Sequence, residues 1–255
     1  MSWPLQPKIV RELKNRGLPA DEKAVRSAEM KIVAEARRWP ASEFAGSLSD
    51  QMILSLLQHH GVPTGFLDLT TDPMTALWFA CESESDPATA QRKGVLLAFD
   101  VTDWPVLATE IPGDESKWSH HADPLGYNYH HLHVGRNKTF LVEPTRPSGR
   151  LMSQRGKLFR AQVLSENDGP FGIQLDGIPA HAGEIRPSAI LKAEKGTGRP
   201  ATLPFVAILI GTQQKVTLLS HLEGTNGLKR SILFPDVSGF AAAVNQRVIP
   251  ISQIS

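Results

Sequence analysis

One cysteine in 255 residues, Cys81, leaves no partner for an internal disulfide, which points to a reducing compartment. No apolar run approaches the roughly 18 residues that a bilayer-spanning helix requires. The opening stretch, MSWPLQPKIVREL, holds two prolines and no apolar core of a secretory leader. The expectation is therefore a cytoplasmic protein with no membrane partner. Neither sign of charge dominates: 27 Lys and Arg face 26 Asp and Glu, a formal net charge of +1. That balance gives no electrostatic reason to expect a nucleic acid or an anionic membrane. Several chemistry-bearing motifs are missing too. No Walker A sequence occurs, which excludes a P-loop NTPase, and Gly196 and Gly198 run into Pro200 instead of opening a helix after a strand. The absence of G-x-S-x-G argues against an α/β-hydrolase. No repeat, low-complexity tract or linker marks a second domain, so a single domain over 1–255 is expected.

What the chain does have is concentrated between Leu54 and Glu82: LSLLQHHGVPTGFLDLTTDPMTALWFACE. Asp50 is placed to cap a helix with Met52, Leu56 and Leu57 at helical spacing. Gly61 stands where a left-handed residue would end that helix, because glycine takes the conformation without a steric cost. Gln58, His59 and His60 ride on its last turn. Thr70, Thr71 and Asp72 then lead into Pro73, which suits a first helical position because its missing N–H is not needed there. Met74, Leu77, Trp78 and Cys81 follow at i, i+3, i+4 and i+7 as one apolar stripe expected to face a core. A polar turn pinned between two amphipathic helices can present donors and acceptors to a ligand, and this is the candidate site.

Elsewhere the pattern is plainer. Trp3, Leu5, Ile9, Val10 and Leu13 are expected to clamp an N-terminal helical segment, 1–45, onto the body. Between Asp21 and Trp39, Val25, Ala28, Ile32, Val33 and Ala36 form a helical stripe, and pairs such as Glu22 and Arg26 are read as a solvated face. GVLLAFDVTDW from Gly94 and FVAILI at 205–210 read as strands buried on both faces, and KTFLVE at 138–143 as another strand. Short runs between 165 and 204 suggest a meander, Gln213 to Leu222 a helix, and Asp236 the cap of a last one. Residues 102–137 read as a long irregular insertion of the kind that often serves as a lid or binding loop. It holds His120, His121, His130, His131 and His133. His131 and His133 would point the same way from a strand, which suits a metal, but they are two ligands where three or four are needed. The other reading is a polar loop that uses histidine, and no metal is expected. Cys81, on an apolar stripe, reads as structural because nothing in the neighbouring sequence would lower its pKa.

QHHGVPTGFLDLTTDPMTALWFA resembles the central motif of the FRG-domain family, roughly Q-H-[YH]-G-[LV]-P-T-R-L-L-D-W-T-x-x-P-x-x-A-L-x-F-A. Gly65 stands where that pattern has Arg, and Leu69 where it has Trp. Arg150, Gln154, Gly156 and Phe159 resemble a second motif, and LFPD at 233–236 a closing one. The opening SWPLQPKIVREL is similar to the piece that follows the family's Phe/Tyr-Arg-Gly, a tripeptide found nowhere in the chain. The central motif also looks like a signature of the ADP-ribosyltransferase superfamily. The resemblance implies an α+β fold, a mixed or antiparallel sheet with flanking helices, that takes NAD as substrate. It implies an NAD-utilising ADP-ribosyltransferase or NAD glycohydrolase of the toxin or phage-defence type, weakened where the first motif is missing. Its catalytic residues would be His59, Gln154 and Glu143. Gln58, His59, Thr64, Asp68, Thr70, Thr71 and Arg150 would bind the dinucleotide. Partners would be NAD or another nucleotide, a protein or nucleic-acid acceptor, and a neutralising protein. The alternative is a non-catalytic nucleotide- or protein-binding module on the same fold.

Overall fold

A computed structural model of the chain describes residues 5–40, 48–82, 92–102, 104, 106–108, 139–143, 148–163, 173–174 and 205–245. Trp3, the five histidines of the insertion and the run AILKA lie outside the described residues. Contacts divide the chain into two compact units, each drawn from three segments. The first takes Met1–Asp68, Val101–Arg146 and Leu158–Pro204; the second takes Leu69–Asp100, Pro147–Lys157 and Phe205–Ser255.

In the first unit, α1 (Lys8–Asn15) buries Ile9 and Val10, and α2 (Glu22–Arg38) buries Val25, Glu29, Val33 and Ala36. Asp21 caps α2 by accepting from the Ala24 amide at 2.8 Å. α3 (Asp50–His59) is capped by Ser49, whose hydroxyl accepts from the Met52 amide at 3.1 Å. Asp50, expected as the cap, is instead its first residue, and its carboxylate takes Arg37 at 2.6 Å. The end of α3 matches expectation. Gly61 has φ +80°, and its amide and that of Val62 close back onto the carbonyls of Gln58 and Leu57, both at 2.9 Å. The core joins Val33 and Ala36 to Ile53, Leu54, Phe66, Phe140, Val142 and Leu158.

The main sheet has the order β1 (Leu67–Thr70), β5 (Gly156–Arg160), β4 (Phe140–Glu143), β3 (Val106–Ala108). β4 and β5 are antiparallel, while β3 and β4 are parallel. β3 lies inside the stretch expected to be irregular. β6 (Gln162–Val163) pairs antiparallel with β7 (Ile173–Gln174).

The second unit holds α4 (Pro73–Cys81), β2 (Gly94–Phe99), α5 (Gly149–Ser153), β8 (Phe205–Ile210), α6 (Thr212–Thr225), α7 (Arg230–Leu233) and α8 (Val237–Asn245). Pro73 opens α4 as expected, with Asp72 as cap. The stripe on α4 is shifted, however: Thr75, Trp78 and Cys81 are buried, whereas Met74 is 45% exposed. β2 and β8 pair antiparallel from Gly94 with Ile210 to Phe99 with Phe205. They were expected to be buried on both faces, yet Val206, Ile208 and Leu209 are all exposed. Among the described residues each has one strand neighbour, so no sheet surrounds them. A second core gathers Trp78, Leu222 and Leu233 with Leu77, Leu219, Leu228 and Phe234. The described architecture is α+β with mixed strand directions.

Candidate functional site

The reversal after α3 brings Thr64 back over its last turn, wholly buried. Its hydroxyl accepts from the Phe66 amide at 3.2 Å and so keeps its own proton for Gln58 Oε1, at 2.6 Å. That bond turns the Gln58 amide so that Nε2 donates to Asp68 Oδ2 at 3.0 Å. A hydroxyl, an amide and a carboxylate therefore form a directed chain whose outer end, Asp68, is exposed. The first helix steadies the same turn. Lys8 Nζ donates to the Gly61 carbonyl at 2.6 Å, and the Ile9 amide reaches the Thr64 carbonyl at 3.4 Å. His59, next to Gln58, lies edge-on to His60 with ring centroids 4.8 Å apart. Glu143 ends β4 with an exposed side chain.

The remaining expected site residues lie in the second unit and have partners there. Thr70 Oγ1 donates to the Gln154 carbonyl at 2.7 Å and accepts from the Asp72 amide at 3.0 Å. The Thr71 amide donates to the Arg155 carbonyl at 3.1 Å, where Arg155 has φ 47°. Arg150 makes a two-pronged pair with Asp236, Nε at 2.9 Å and Nη2 at 2.8 Å. Asp236 also accepts from the Gly239 amide at 2.7 Å, the capping role expected of it. Phe234 lies under the Arg150 guanidinium at 4.9 Å and near that of Arg230 at 5.2 Å. Gln154 spends its side-chain amide on the Leu233 carbonyl at 2.8 Å. Arg150 and Gln154 thus tie α5 and its following turn to the LFPD segment. The Cys81 thiol is buried, and burial pushes its pKa up against the opposing charge of Lys215, as suits a structural thiol. Among the described residues no group of three His, Cys, Asp or Glu could hold a metal ion.

The FRG domain model matches residues 1–89. The match covers about a third of the chain, so the likeness to FRG domains is shown for that stretch. No curated protein and no solved structure matches the chain. The FRG stretch contains Gln58, His59, Thr64, Asp68, Thr70 and Thr71; Glu143, Arg150 and Gln154 fall beyond it.

Around the FRG turn the structure also places residues that sequence reasoning missed. Glu29, on the supposedly solvated side of α2, is fully buried and accepts from the Gly65 amide at 2.6 Å. Arg160 of β5 is 1% exposed; its Nη1 donates to the Gly65 carbonyl at 3.1 Å. Its Nη2 reaches Glu22 at 3.0 Å and Glu29 at 3.3 Å. Glu22 does form the expected pair with Arg26, at 2.8 Å, but it also accepts from the Val163 amide at 2.8 Å. The solvated-face reading fails for these two glutamates because their partner is a buried arginine far along the chain. One signal was available: Glu29 falls four residues from both Val25 and Val33, in the middle of the apolar stripe.

Proposed function

We propose that the FRG domain of this chain takes NAD as substrate and releases nicotinamide. It would act as an NAD glycohydrolase or ADP-ribosyltransferase of the toxin or phage-defence type, on an ADP-ribosyltransferase-like version of the α+β fold. The observation that carries the reading is the directed chain Thr64–Gln58–Asp68 inside the FRG stretch. A carboxylate oriented by a buried hydroxyl through an amide is a pre-set acceptor, suited to the paired hydroxyls of a ribose. In the reaction the C–N glycosidic bond breaks and its electron pair leaves with nicotinamide. Water, or a nucleophile on a protein or nucleic-acid acceptor, then bonds to the anomeric carbon and gives up a proton. The developing positive charge calls for a carboxylate; in this reading Glu143 supplies it, and His59 accepts the nucleophile's proton. A neutralising partner protein would accompany such an activity.

The second reading is a nucleotide- or protein-binding module without chemistry. It is favoured by the engagement of Arg150 with Asp236 and of Gln154 with the Leu233 carbonyl, both structural tasks. One pair of assays separates the two. Calorimetry with NAD and ADP-ribose should show binding that Asp68→Asn weakens tenfold or more, since a hydrogen bond to a charged group contributes about 1.5–3 kcal/mol. Nicotinamide release should accompany it. Binding without release selects the module, and no binding at millimolar ligand by a folded chain overturns both nucleotide readings.

A further inference from the structure

Position 65 points inward. The Gly65 backbone is not left-handed, so no turn requires glycine there. Space does. A Cβ on Gly65 would lie 1.8 Å from Arg160 Nη1, 2.7 Å from its Cζ and 2.8 Å from Glu29 Oε1. The guanidinium cannot simply step aside, because it is buried and held by Glu22, Glu29 and the Gly65 carbonyl. Both main-chain polar groups of Gly65 are therefore taken by buried charges, the amide by Glu29 and the carbonyl by Arg160. The FRG pattern has an arginine at this position. Any side chain here starts toward the buried Arg160 and Glu29, so the glycine does not take a ligand-gripping cation out of the site. The neighbourhood keeps a guanidinium, delivered from β5.

We infer that Arg160 and Glu29 are positioning residues of the FRG site: together they clamp the 64–66 turn that orients Gln58 and Asp68. Gly65 and Arg160 form a coupled pair in which the small residue makes room for the large one. The inference rests on the reading of Gln58 and Asp68 as ligand-facing groups. Its core, the clamp, can be tested apart from any ligand.

The experiment uses the full chain with Gly65→Ala, Arg160→Met and the double variant, by denaturant titration and by NMR of the Gln58 side-chain amide and the Phe66 amide. Gly65→Ala should destabilise the chain and shift both signals. In the Arg160→Met background the same alanine should cost less, because the two closest atoms are removed and only the contact with Glu29 Oε1 remains. The cycle is repeated on Glu29→Gln, which avoids leaving a buried carboxylate without its counter-charge if Arg160→Met alone fails to fold. Arg160→Lys keeps the charge and loses the fork, so it should shift the Gln58 signal and weaken ADP-ribose about tenfold, the effect of one mis-set hydrogen bond to a charged group. Additive losses in the cycle, or a Gln58 signal unmoved by Arg160→Lys, overturn the clamp. If the parent chain binds no ADP-ribose, the nucleotide reading fails while the cycle and the Gln58 signal still decide the clamp.

Discussion

Glu29 shows how far a single side chain can depart from its sequence context. A carboxylate on the buried face of a helix loses its hydration, and only a partner and hydrogen bonds offset that loss. Burial raises its pKa and outweighs the pull of Arg160 and the Gly65 amide; Glu22 adds to the rise and Arg26 opposes it slightly, so the carboxyl is held above its ordinary 4.5. A raised native pKa means that the folded chain binds the proton more tightly than the unfolded one. The stability this contributes is present below about 4.5 and is lost as pH climbs through the native value. In denaturant titrations across that window, the parent chain should therefore lose stability relative to Glu29→Gln as pH rises. A difference moving the other way would mean that Arg160 dominates. Sequence reasoning could not see this, because the spacing of Glu22 and Arg26 is the same whether the face is wet or dry. What decides is Arg160, whose arrival beside α2 depends on the sheet. By contrast the left-handed Gly61 was legible, since a helix end is a local fact, and so was the burial of Cys81, although its stripe runs through Thr75 and not Met74.

Helix ends were readable almost to the residue, and strand environments were not. Asp236 accepts from the Gly239 amide of the turn it was expected to cap, and Asp21 and Asp72 cap the helices that the pattern placed directly after them. Only α3 differed, Ser49 taking the place expected of Asp50; Ser49→Ala should cost about 1 kcal/mol, readable as a shift in the denaturation midpoint. Asp236 does more than a cap requires, because it also receives the Arg150 fork. Asp236→Asn keeps an oxygen for the Gly239 amide and gives up the charge. It should therefore cost less than Asp236→Ala, which loses both and removes the acceptor of the Arg150 fork, a difference on the order of 1–3 kcal/mol. Equal losses for the two would assign the whole effect to the charged fork, and no loss for Asp236→Asn would assign it to capping. The apolar runs of β2 and β8 predicted strands correctly and burial wrongly. Periodicity reports what a segment can do, whereas its cover depends on which other segments arrive.

At the scale of the molecule, the FRG match ends at residue 89, but the packing around its site does not. Ile53, Leu54 and Phe66 share their core with Phe140, Val142 and Leu158. The turn at Gly65 is held from Arg160. A fragment of residues 1–89 should consequently show little amide dispersion and no cooperative denaturation on its own; a well-dispersed spectrum would show that the later strands only decorate a finished domain. The grouping of Gln58, Thr64 and Asp68 was legible for a related reason. They lie on one reversal from the last turn of α3 to the start of β1, so their spacing alone brings them together, while the residues that hold that turn are scattered. The interleaving of segments also sets a clock on synthesis. A ribosome adding about 5–20 residues per second needs roughly 5–20 s to travel from Phe66 to Leu158 and Arg160. Through that interval the apolar faces of α2 and α3 have emerged without the strands that cover them, and Glu29 waits in solvent for its arginine. The nascent chain is thus most exposed to chaperones and proteases just before β5 leaves the exit tunnel.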